Sequence, residues 1–151
     1  MTLPQNMLII GDKNIKDAGL EARIKLELVD AKNLPYLDCN FDAAISNSIL
    51  HHLPEPLPFW QELKRVLKPG GGILIRDLLR PENEEITEEF VNKYAADSNE
   101  HQRALFRDSL KAAFTVDEVK EMIKAVSLEG VKIYQSSDRH WTAERVATIS
   151  V

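Results

Sequence analysis

Between Pro58 and Leu67 the apolar residues fall at helical spacing. Phe59, Trp60, Leu63, Val66 and Leu67 form one stripe, with Glu62, Lys64 and Arg65 on the other side. Pro69 and Gly70 end that helix. On either side lie short, mostly apolar runs, "FDAAISNS" (Phe41–Ser48) and "GILIRDL" (Gly72–Leu78), each turning polar at its far end. Such runs predict buried strands of a parallel sheet. Strand, helix, strand in that order predicts a βαβ unit with a right-handed crossover. Upstream, "ARIKLELVDA" alternates Ile24, Leu26 and Leu28 with polar residues before Asp30, which predicts a strand ending in an acid. The preceding "NIKDAGLE" reads as a helix that stops at Gly19.

After Pro81 the pattern turns helical. Phe90, Val91 and Tyr94 give one short stripe, and Leu105, Phe106, Leu110 and Ala113 another. "TVDE" (Thr115–Glu118) is a capping box: the Thr hydroxyl takes the third helical N–H while Glu118 reaches back. The helix it opens buries Val119, Met122, Ile123 and Val126. "VKIYQ", "SSDRH" and "WTAERVATIS" then predict two strands around a polar turn, an antiparallel pair at a sheet edge.

Composition narrows the setting. A chain of 151 residues fits one domain over 1–151, and 44% apolar with 28% charged residues is an ordinary globular balance. The net charge of −5 with dispersed basic residues argues against a nucleic-acid partner. No apolar run approaches a membrane span, and "MTLPQNMLIIGDK" has no basic stretch of a signal peptide. Cys39 is the single cysteine, so it makes no internal disulfide and has no CxxC partner; this favours a cytoplasmic location.

Three features are candidates for chemistry. Gly70–Gly72 follow a helix and open a strand, the reverse of a phosphate cradle, so they read as a tight turn. His51 and His52 are adjacent and diverge by roughly 100° on a helix, and with no zinc spacing nearby no metal site is expected. His51 does lie just past a strand end, where substrate contact or proton transfer belongs. The third feature is a set of strand ends: Asp30, Ser46 with Asn47, and Arg76 with Asp77. In a parallel sheet such ends share the rim where ligands bind. Equally, polar residues end most strands because loops are wet.

"VDAKNLPYLDCNFDAAISNSILHHL" followed by "LKRVLKPGGGILIRDLLRP" resembles the middle and later part of class I S-adenosylmethionine-dependent methyltransferases. "LPQNMLIIGDKNIKDAGLEARIKL" and "AAFTVDEVKEMIKAVSLEGVKI" resemble the flanking helices and strands, so the likeness spans nearly the whole chain. It implies a reduced Rossmann-like α/β fold: a mostly parallel sheet flanked by helices, with a C-terminal antiparallel strand pair. Asp30 and the main chain of Ala31 would face the adenine of S-adenosylmethionine. Ser46 and Asn47 would lie along its methionine part. His51 and Asp77 would meet the acceptor, a small molecule, and residues 82–114 would form a helical insertion roofing its pocket.

The chain departs from the family at its start. Only Gly11 and Gly19 precede Asp30, so the family's glycine-rich loop and its ribose-binding acid have no counterpart. The expectation is a methyltransferase-like chain truncated at its N-terminal cofactor half, with donor binding weak or lost. Its strand at Ala43–Ser46 would have an open edge, covered by a homodimer or a rearranged sheet. The alternative is a non-catalytic scaffold acting in dimerisation or partner binding.

Overall fold

The computed structural model describes residues 3–148. The chain divides into two compact units, one up to Pro35 and one from Tyr36 onward. In the first, helix α1 (Leu3–Asp17) absorbs the "MLIIG" run, and Gly19 follows at φ +66, the left-handed conformation that closes a helix. The strand expected over Ile24–Val29 does not form, and Ile24, Leu26, Leu28 and Val29 are exposed. Alternation marks a face, but a strand persists only where a neighbour completes its backbone hydrogen bonds. Asp30 therefore ends no strand and instead bridges to Asn33 in a tight turn.

The second unit holds a four-stranded sheet in the order β1-β2-β4-β3. Its elements run β1 (Phe41–Asn47), α2 (Leu57–Val66), β2 (Leu67–Leu78), α3 (Glu84–Tyr94), α4 (Glu100–Ala112), α5 (Val116–Ala125), β3 (Lys132–Ser137) and β4 (His140–Arg145). β1 and β2 are parallel, as the βαβ pattern predicts, and β4 joins β2 and β3 antiparallel. The α/β class and the C-terminal antiparallel pair are as expected. The parallel part is a single pair because Ile24–Val29 stays out of the sheet, and β1 is left at the edge.

Helix α2 starts with proline in its first turn, where the fixed φ suits and no N–H is missed. Its stripe of Phe59, Trp60, Leu63 and Val66 is buried. Trp60 reaches Trp141 of β4 with ring centroids 6.5 Å apart, on the sheet face that also buries Ile73, Ile75 and Ala143. Both indole Nε1–H groups are buried without a hydrogen-bond partner among the described residues.

The three glycines form a turn folded into the start of β2. Phe41 pairs with Leu67 but Ala43 with Gly72, so the residues between bulge out of the ladder. Gly70 sits at φ +73, and a Cβ on Gly71 would lie 2.9 Å from the Lys68 carbonyl oxygen and 3.0 Å from that of Asp42. Neither position accepts a side chain without backbone movement.

Helices α3 and α4 pack together and close over the end of β2, with Val91, Leu110 and Ala113 buried against Leu78. Asn83 and Asn99 cap them, the latter in a reciprocal box with Gln102. The expected box at α5 forms, Thr115 accepting from the Glu118 N–H and Glu118 from the Thr115 N–H.

Candidate active site at the strand ends

Parallel pairing sets Asn47 beside Arg76 and Ser46 beside Ile75, so the C-terminal ends of β1 and β2 lie on one rim. Alternation splits their side chains. Ser46 shares the helix-covered face with Ile75 and Asp77, whereas Asn47 and Arg76 share the opposite face. Directly after Asn47 the chain turns at Ser48, whose φ of +60 is rare for a residue with a Cβ. The Ser48 N–H donates to the Arg76 carbonyl at 2.9 Å, which holds that turn against β2. A 3-10 turn, Leu50–His52, follows and brings His51 back over the sheet.

There the structure builds a pairing that spacing along the chain did not announce. Asp77 is 1% exposed and His51 is buried beside it. His51 Nδ1 lies 2.6 Å from Asp77 Oδ1. The other carboxylate oxygen accepts the Leu50 N–H at 2.7 Å, and Oδ1 also takes the Leu78 N–H at 2.8 Å. Burial works to raise the Asp77 pKa. The His51 bond and the two main-chain N–H groups more than offset it, holding the carboxyl below its ordinary range. An ionised Asp77 can only accept, so His51 Nδ1 carries the proton and Nε2 is the free nitrogen. No hydrogen bond occupies Nε2 among the described residues.

The His52 ring lies against that of His51, centroids 4.0 Å apart and tilted by 43°. Its pKa is lowered, first by burial and then by His51, with Asp77 opposing. Helix α4 packs against the 3-10 turn that carries the pair.

The sequence-derived candidates thus separate. Ser46, Asn47, His51 and Asp77 converge on one rim of the second unit. Asp30 and Ala31 belong to the first unit. Asp30 is exposed there, and its Oδ1 accepts from both the Lys32 main-chain N–H and Nζ. The Lys32 bonds lower its pKa. The signal for the His51–Asp77 pair was an ionisable residue at each of two neighbouring strand ends.

Residues 1–75 match the methyltransferase domain family model. The sterol 4-C-methyltransferase strm-1 of Caenorhabditis elegans is 30% identical over 105 residues, 70% of this chain and 28% of the relative. The demethylmenaquinone methyltransferase of Bacillus velezensis is 36% identical over 78 residues, 52% of this chain and 33% of the relative. The chain therefore spans about a third or less of the length of these curated relatives. In fold, an S-adenosylmethionine-dependent methyltransferase from Aquifex aeolicus superposes with a TM-score of 0.59 at 17% identity, covering 90% of this chain and 61% of that one. In sequence this chain is similar to methyltransferases, and its fold is that of S-adenosylmethionine-dependent methyltransferases.

Proposed function

We propose that this chain carries out methyl transfer from S-adenosylmethionine to a small acceptor bearing an ionisable O–H or N–H. The observation that carries this reading is the buried His51–Asp77 pair on the rim of the parallel strands, with Nε2 left to accept a proton. Bound S-adenosylmethionine would supply an electrophilic methyl on a positively charged sulfur. His51 Nε2 takes the acceptor's proton as the acceptor lone pair forms its bond to the methyl carbon. The donor's sulfur would keep the electron pair of the carbon–sulfur bond as the methyl leaves it. Asp77 stabilises the imidazolium that results.

The rim offers partial support for the donor. The Asn47 amide is exposed and the Ser46 hydroxyl half-buried, both fitting the amino-acid end. No glycine-rich main-chain loop stands before β1 in this sequence. Residues 82–114 serve as the roof of the acceptor pocket, within one methyltransferase-like domain. A second copy of the chain covers the open edge of β1, and the free Cys39 fits a cytoplasmic location.

Calorimetric titration with S-adenosylhomocysteine tests the reading. Saturable heat that defines a Kd is expected. No heat from a folded protein would sink it and favour a non-catalytic scaffold. His51→Ala should leave that Kd within about twofold and slow methyl transfer at least 100-fold, the usual weight of a general base.

A further inference from the structure

On the opposite face of β2 from Asp77, hydrogen-bond donors outnumber the acceptors they meet. Arg139, in the turn between β3 and β4, lays its guanidinium flat on the Tyr94 ring of α3, 3.6 Å from the centroid. Stacking uses the face of the guanidinium and leaves its N–H edge free. The Arg139 side chain has no hydrogen bond and no ion pair among the described residues, although it is half-buried. The neighbouring carboxylate, Asp138, is engaged by the Tyr94 hydroxyl and by Lys93 Nζ at 3.2 Å.

Next to Arg139, His140 Nδ1 lies 3.0 Å from Arg76 Nη2 and 2.8 Å from Ser137 Oγ. A guanidinium can only donate, so Nδ1 is the acceptor and the His140 proton sits on Nε2. That nitrogen becomes one more donor, and it too has no partner among the described residues. Burial, Arg76 and Arg139 in turn lower the His140 pKa, with Asp138 and Asp77 opposing. Arg76 makes no ion pair among the described residues and stands beside Asn47 in the register. Two guanidinium groups and an imidazole N–H thus gather at the C-terminal end of β2, on the face opposite the His51–Asp77 pair.

We propose that Arg139, His140 and Arg76 form a subsite for a carboxylate group on the methyl acceptor. The planar fork of Arg139, held rigid by Tyr94, matches the two oxygens of a carboxylate. This makes the acceptor an anionic small molecule that reaches round the C-terminal end of β2, its carboxylate on this face and its reacting O–H or N–H at His51. The proposal rests on the acceptor reading of this rim, but its test contains no methyl donor and stands apart from it.

The full chain, labelled with ¹⁵N, is titrated by NMR with sodium benzoate, benzamide or inorganic phosphate at constant ionic strength. Benzoate should shift the Arg139 Nε–H and His140 ring signals and saturate, while benzamide leaves them in place. Arg139→Gln should weaken benzoate binding at least 10-fold, and Arg139→Lys, which keeps the charge but not the fork, should fall between. An unchanged pattern of dispersed backbone signals shows that each variant is folded. Equal response to benzamide, or unchanged benzoate binding in Arg139→Gln, would overturn the proposal. So would saturation by phosphate alone, which assigns a phosphate site instead.

Discussion

Asp77 decides more than any other side chain on the rim. It was legible in the sequence as a charged strand end, but its partners were not. His51 and the Leu50 N–H meet it only because the turn at Ser48 folds the chain back, and a turn at positive φ has no reliable signature in a serine. Asp77→Asn removes the charge while keeping the shape. Breaking such a buried pair should cost about 3 kcal/mol at neutral pH, measured by urea denaturation. The folded pKa of Asp77 is depressed, so its contribution is full above the unfolded value. It is lost as pH falls through the folded one. The stability gap between wild type and Asp77→Asn should therefore hold steady above about pH 5 and shrink steadily in acid. A gap independent of pH would show that the carboxylate charge is not what holds His51.

Elements were legible wherever the pattern was local. The α2 stripe and the Thr115–Glu118 box each lie within one helix; the box forms as read, and the stripe forms up to Val66, with Leu67 opening β2 instead. Ile24, Leu26 and Leu28 alternated just as clearly, yet no strand formed, because a ladder depends on a partner that periodicity does not contain. The glycines after α2 were legible as a turn from their order in the chain, though not the bulge they make in β2. Gly71 is the position with no room: the atoms a Cβ would meet are main-chain oxygens, which cannot swing away as a flexible side chain does. Gly71→Ala should lower stability by about 1–3 kcal/mol through overpacking, visible as a lower melting temperature. An unchanged melting temperature would mean that the bulge relaxes freely.

For the molecule as a whole, β1 is the exposed question. It ends the sheet, carries neither Lys nor Pro, and leaves Ile45 78% exposed beside Leu74 of β2. Unblunted edges of this kind recruit another strand. Ile45→Lys should shift sedimentation from dimer to monomer without changing the circular dichroism spectrum. A wild-type chain that sediments as a monomer at all concentrations would remove the edge-pairing reading. The two tryptophans, Trp60 and Trp141, both sit in the core of the unit that begins at Tyr36, and the chain has no others. Intrinsic emission excited at the indole band is thus blind to α1, whereas far-ultraviolet ellipticity counts every helix. Heating the protein while following both signals should yield two midpoints, with ellipticity beginning to fall first. Coincident curves would instead reveal a single cooperative melt.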